Sequence, residues 1–284
     1  MPVAAPVATR YRHLMGEQAY VLGTHDDEIA RLGLQHRAWW PFVADAWRRA
    51  GIAPAHTVLD VGCGPGYASR DLARAVGPSG HVIAIDRSRR FLDYLAAAAA
   101  ADGLPNIRTV ERDLNDGALP DVAADAAWCR WVLSFVRDPR ALLARIVGAL
   151  RPNGAIVIHE YYDYASWRLL PPRAELEEFV AEVMRAWREE GGEPDLGRVL
   201  PSWLAEMDVD LVGVRPIVHL AAPGTPMWEW PTAFVNVGSE RLVALGRMTS
   251  TRASDIRRAM HDAANAPAAR LSTPAVIEII ARKR

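Results

Sequence analysis

The stretch Val58-Leu59-Asp60-Val61 runs without interruption into Gly62-Cys63-Gly64-Pro65-Gly66, and helix-forming residues resume at Tyr67 and Ala68. A short apolar run closed by glycine reads as a buried strand, so the segment predicts a strand, a tight turn and a helix in direct succession. Glycine has no Cβ to hold a ligand away from the backbone, and the helix behind the turn begins with unpaired N–H groups. A purely structural turn would use the same residues. The setting of this turn is what points to a ligand.

Four further apolar runs follow at regular intervals, over residues 81–86, 106–113, 125–133 and 155–162, with helical stretches between them. That alternation predicts a parallel sheet covered by helices. Before the last run, Pro152 stops a helix and Asn153-Gly154 turns the chain into the strand. After Tyr162 the rhythm changes: an amphipathic helix spans 175–190, and two strands are expected over 210–220 and 275–283. Pro216 should leave the first of these with an imperfect ladder. Between them lies a long insertion, residues 223–270, with at least one helix over 252–265, and such insertions usually carry function. Upstream, residues 26–50 predict an amphipathic helix broken near Pro41. The expected fold class is a doubly wound α/β sheet, mostly parallel and seven-stranded, with helices on both faces. It forms a single domain over 1–284, divided into an N-terminal helical cover (1–50), a binding core (51–162) and a lid region with the last two strands (163–284).

Asp86 ends the second strand, where a carboxylate can accept both hydroxyls of a ribose lying across the strand ends, and Asp113 ends the third, in reach of an adenine amino group. A dinucleotide fingerprint wants its third glycine at position 67, which is Tyr67. A nucleoside without phosphate removes that demand. At this point VLDVGCGPG resembles motif I of the class I S-adenosylmethionine-dependent methyltransferases, hh(D/E)hGxGxG, and fills it at every position. The likeness extends over residues 57–160 and includes LRPNGAIVI, which is similar to the family's signature before strand five. It implies S-adenosylmethionine as cofactor, with Asp86 as ribose ligand and Asp113 as the adenine-contacting acid. It further implies cofactor contacts from Gly62, Cys63, Gly64 and Gly66, from Arg87 and Leu114 beside the two acids, and from Arg130 near the end of strand four. The stretch from Tyr20 to Gln35 would form the N-terminal cover of small-molecule members and supply contacts of its own. Asp60 joins this set, although its burial fits it for fixing the turn through backbone hydrogen bonds. Cys63 reads as a small turn residue rather than a nucleophile, since no activating base accompanies it.

Methyl transfer from a sulfonium is an in-line displacement in which the enzyme mainly supplies alignment; a hydroxyl or amine acceptor also calls for a nearby base. Strand five closes with His159-Glu160-Tyr161-Tyr162 beside the expected methyl position, and side-chain alternation lets only one of each adjacent pair face it. His159 is the candidate base. Against the family, WCRWVL lacks the (D/N)PP(Y/F) clamp for exocyclic amines, which disfavours base methylation. Arg130 stands where metal-dependent catechol-type enzymes place aspartate, and no His pair has ligand spacing, so no metal is expected. Trp167, Trp187, Trp203, Trp228 and Trp230 predict an aromatic, largely apolar pocket for a metabolite methylated at O, N or C. The rival readings are a same-fold enzyme moving another group and a non-catalytic cofactor-binding domain. The 33 basic and 34 acidic residues nearly cancel, which argues against nucleic-acid or membrane partners. Cys63 and Cys129 form no CxxC pair or disulfide framework, and no apolar run is long enough for a membrane span, so a cytoplasmic protein is expected. Its partner is a small-molecule acceptor, with a homodimer as the candidate assembly.

Overall fold

In a computed structural model that describes residues 24–115, 117–266 and 268–284, the sequence's apolar runs become adjacent strands. β1 (Thr57–Val61), β2 (His81–Asp86), β3 (Ile107–Glu111), β4 (Ala124–Arg130) and β5 (Leu150–Asp163) lie parallel in the order β3-β2-β1-β4-β5. β10 (Ala275–Lys283) and β7 (Val209–Ile217) extend the sheet antiparallel beyond β5. The seven-stranded, doubly wound sheet expected from the sequence is present. Its strand order reverses between β1 and β4, which opens a crevice at the carboxyl ends of the parallel strands.

Alternation along the strands divides the core into two layers. Val58, Trp128, Val157 and Ile280 face α1 (Asp26–Ala50), which buries Trp39, Val43 and Trp47 on them. Leu59, Cys129, Ile158 and Ile279 face α4 (Pro139–Gly148) and α6 (Leu200–Ala205). Trp39 and Trp128 are fully buried, and truncating either to alanine costs about 3–5 kcal/mol. The remaining helices are α2 (Tyr67–Val76), α3 (Arg89–Ala101), α5 (Ala174–Glu189), α7 (Pro226–Ala244) and α8 (Ser250–Ala264). Local signals start them: Ser88, Asp138, Thr225 and Thr249 each accept a hydrogen bond from a first-turn amide, and Pro139 and Pro226 occupy first-turn positions that need no donor.

Three expectations are corrected. α1 is continuous through Pro41, because Pro41 and Arg37, whose carbonyl loses its helical partner, both lie on the exposed side where water replaces the missing bond. Pro152-Asn153-Gly154 does not precede β5 but forms a bulge within it: Ala124 pairs with Leu150 and Ala126 with Ala155, with Asn153 at φ 63°. Pro216 does not break β7, an edge strand that tolerates a missing donor: it pairs with Ile277, and the irregularity falls further along, where Ile280 and Ala281 face Gly213 and Leu211. The insertion between β7 and β10 holds α7 as well as the expected α8. A second, three-stranded sheet, β6 (Arg168–Leu170), β9 (Arg270–Ser272) and β8 (Leu220–Ala221), was not signalled by such short segments. Among the described residues, no helix is long and apolar enough to cross a membrane.

Candidate active site

The turn after β1 is held by its glycines for two different reasons. A Cβ on Gly62 would lie 2.3 Å from Val132 Cγ2, and one on Gly66 2.3 Å from Leu95 Cδ1, so internal packing demands glycine at both. Only at Gly64, with φ +55°, would the side chain enter open space, and there glycine leaves room for a ligand. The Gly64 N–H donates to Asp86 Oδ2 at 2.9 Å, and the Ser88 N–H donates to Oδ1 at 2.8 Å. Asp86 is 3% exposed, and burial raises its carboxyl while these two amides oppose the rise. A carboxylate offers about four acceptor positions, so acceptor capacity remains for a ligand in the crevice. Asp60 instead accepts from Ser69 Oγ at 2.5 Å, tying β1 to α2, and burial pushes its carboxyl up to about 6. The Cys63 thiol is buried and pushed up as well, which leaves no thiolate for chemistry.

One continuous cavity opens here. At its first end Gly62, Asp86, Arg87, Asp113 and Leu114 line it, and it runs on past Gln35 to walls made by Trp131, Tyr161, Tyr164, Trp167, Trp187 and Trp230. Asp60, Cys63, Gly64, Gly66, Arg130 and His159 are not among its lining residues, and Tyr20 lies outside the described residues. β3 stops at Glu111, so Asp113 reaches the cavity from the following loop, where its Oδ1 also accepts from the Asn115 amide at 2.9 Å. Trp203 and Trp228 fill core positions instead of the cavity wall.

The wall depends on a clamp beneath it. Trp131 follows β4 in a left-handed conformation, φ 52°, and its ring stacks between Tyr161 (5.2 Å, 16°) and Trp230 (5.5 Å, 14°). On the opposite face of β5, the buried Glu160 carboxylate accepts from the amides of Val132 (2.8 Å) and Ser134 (3.4 Å) and from the Ser134 hydroxyl. Burial pushes this carboxyl up to about 7 against those donors. Adjacent residues of one strand thus serve the site from its two faces.

His159 is not brought to the cavity. It is fully buried, with Nε2 3.1 Å from Glu278 Oε2 and its ring edge-on to Trp128 at 4.9 Å. Burial lowers its pKa, so the ring is neutral and links β5 to β10. Glu278, despite burial, is held at about 2 by His159, Arg49 and Arg215. The strand alternation that puts His159 on the correct face brings Tyr161, two residues further on, to the cavity instead. Arg130 is likewise buried, its Nη2 3.3 Å from His36 Nδ1 and its guanidinium 5.0 Å over the Trp131 ring. Burial lowers it to about 10, and Nη1 has no partner among the described residues.

Residues 58–154, the span that contains the glycine turn, Asp86 and Asp113, match the family described as methyltransferase domain. This span is a class I methyltransferase domain. Among curated relatives, the chain is 26% identical to the ubiquinone/menaquinone biosynthesis C-methyltransferase of Saccharophagus degradans, over 50% of this chain and 60% of that one. It is 33% identical to the 2-phytyl-1,4-naphtoquinone methyltransferase of a Nostoc species, over 45% of this chain and 55% of the relative. The chain therefore spans little more than half the length of these relatives. Coclaurine N-methyltransferase, solved with N-methylheliamine and SAH, shares the fold at a TM-score of 0.55 and 14% identity, over 86% of this chain and 72% of that one.

The cofactor of this class is S-adenosylmethionine, and the methyltransferase domain has residues that fit it. Asp86 keeps free acceptor positions for a ribose, the space over Gly64 is what a Cβ would have filled, and Arg130 retains an orphaned donor suited to a carboxylate. α1 docks across this half through Tyr67, whose hydroxyl donates to the Ile29 carbonyl at 3.1 Å. A Cβ on Gly33 of α1 would lie 2.8 Å from that tyrosine ring, so Tyr67, the residue that departs from a dinucleotide fingerprint, is the seat of the cover. Trp230 Nε1 then donates to Gln35 Oε1 at 3.0 Å, which joins α1 to α7 over the cavity.

Proposed function

We propose that this protein transfers the methyl group of S-adenosylmethionine to a small metabolite with an aromatic, largely apolar body. The observation that carries the reading is the single cavity, whose nucleoside-type end, with Asp86 and Asp113, opens directly onto aromatic walls. When bound, the cofactor supplies a sulfonium-activated methyl group. Asp86 would accept from the ribose hydroxyls, Asp113, Leu114 and Asn115 would frame the adenine, and Arg130 would meet the carboxylate of the methionine part. Trp131 and Tyr161 would orient the acceptor ring at the junction of the two ends. α1, α5 and α7 would exclude water from the reacting atoms, which fixes the line of approach. We read residues 163–284 as the acceptor-binding part of one domain.

The test is S-adenosylhomocysteine formation from S-adenosylmethionine across a panel of hydroxylated aromatics, aromatic amines and aliphatic acids, alongside calorimetry with S-adenosylhomocysteine. Turnover confined to the aromatic members supports the reading. Tight binding with no turnover on any member would favour a non-catalytic domain, and absence of binding would remove the cofactor assignment.

A further inference from the structure

Tyr161 and Tyr164 stand at the acceptor end of the cavity, 8% and 4% exposed, with ring centroids 4.9 Å apart and planes nearly perpendicular. Neither hydroxyl makes a hydrogen bond to any described residue. The two oxygens are not sealed in the core among the buried atoms without a partner, so they are open to the cavity and available to a ligand. Here both belong to the wall of a cavity that a ligand would fill.

We propose that these two hydroxyls grip an oxygen carried on the acceptor's ring, and that the acceptors are phenols or enols bound as their anions. This rests on the methyltransferase reading above. Burial pushes both tyrosines up, so each remains a protonated donor and neither serves as a base. The same cavity wall includes Arg31 of α1, held by Glu28 through Nε at 2.7 Å and Nη2 at 2.6 Å. The Arg31 charge opposes the rise at both hydroxyls, with the Glu28 carboxylate paired to it in the same wall. Arg130 acts on Tyr161 in the same sense, and Glu160 in the opposite sense from the far face of β5. Across the cavity Glu190 and Arg241 neutralise each other at 2.7 Å. Two neutral hydroxyl donors converging on one oxygen favour the oxyanion over the neutral oxygen, because hydrogen bonds to the charged form are the stronger ones.

No histidine or cysteine among the described residues lines the cavity. An acceptor that arrives as its anion needs no side-chain base: its proton leaves to the buffer as it binds, and the oxygen or the ring carbon it activates stays electron-rich. The stacked rings of Trp131, Tyr161 and Trp230 fit a flat body of that kind.

The probe is 4-nitrophenol, whose anion is yellow, titrated against the intact protein saturated with S-adenosylhomocysteine over a range of pH. Bound probe should ionise roughly one pH unit or more below free probe. In the double variant Tyr161→Phe, Tyr164→Phe that shift should vanish and anion affinity should drop roughly tenfold or more. A bound probe with unshifted ionisation, a double variant that behaves as wild type, or a probe that does not bind would overturn the proposal. S-adenosylhomocysteine affinity, measured on the same samples, should be equal in both proteins; its absence in wild type would instead overturn the methyltransferase reading.

Discussion

Replacing Asp86 separates the carboxylate's two duties. In Asp86→Ala the buried Ser88 and Gly64 amides, which donate to Oδ1 and Oδ2, both lose their partner. Each buried orphan costs about 1–3 kcal/mol, partly offset because the burial strain that raises the Asp86 carboxyl disappears with it. The melting temperature should fall by roughly 2–4 °C for each kcal/mol lost. Binding should suffer separately. A charged acceptor facing ribose hydroxyls contributes about 1.5–3 kcal/mol, so S-adenosylhomocysteine should bind roughly 10- to 10²-fold more weakly. Asp86→Asn keeps the shape and one oxygen acceptor, and should lose less of both. Calorimetric titration with thermal melts on the three proteins measures each quantity. If the alanine variant, still folded, bound S-adenosylhomocysteine within about twofold of wild type, the ribose assignment would be wrong whatever the melts showed.

Gly64→Val should abolish S-adenosylhomocysteine binding in calorimetry at a stability cost of about 1–2 kcal/mol for a branched residue at φ +55°; retained binding would place the ligand elsewhere. Asp60, held at about 6 against an ordinary 3.8, binds its proton more tightly folded than unfolded, so its contribution favours folding in acid and is lost as pH rises from about 4 to 6. Asp60→Asn, which preserves the acceptor for Ser69, should remove that slope in denaturant melts and gain up to about 3 kcal/mol above pH 6; an unchanged slope would refute the burial account. Hydrogen exchange in α1 and in residues 223–270 should slow when S-adenosylhomocysteine binds, since Gln35 and Trp230 couple the two; protection restricted to residues 62–113 would rule out a closing cover. His159→Phe should cost about 1–3 kcal/mol of stability yet leave the pH profile of turnover in place, and a hundredfold loss at unchanged cofactor affinity would restore the base role.

The cofactor half was legible in the sequence because its demands are local. A strand, a left-handed turn and a helix lie in consecutive residues, and the acids at the ends of neighbouring strands can be placed by counting. The acceptor half was not, because its walls come from α1, β5, α5 and α7, which no spacing rule relates. Composition announced aromatic lining, yet only Trp167, Trp187 and Trp230 of the five tryptophans face the cavity, while Trp131, in an unflagged left-handed turn, forms its centre. His159 failed for a related reason: parity assigns a face of the sheet, but the distance along the strand to the cavity depends on where β4 ends, and β4 ends at Arg130. Glu160 carried a signal that went unread, since a carboxylate between apolar strand residues needs donors, and the amides of the turn after β4 were near.

Ile217 and Val276 are partners across β7 and β10, so residues 218–274 leave the seven-stranded sheet and return to it beside the same point. A loop whose ends are already joined can change length cheaply, at about 0.6 kcal/mol for each doubling. This one contributes Trp230 and Phe234 to the acceptor end, and neither the glycine turn nor Asp86 or Asp113 lies within it. Residues 218–274 can thus vary in length without touching the glycine turn or the two acids. On the proposed function, replacing residues 218–274 with a segment of different length should alter which acceptors are turned over and leave S-adenosylhomocysteine affinity in place.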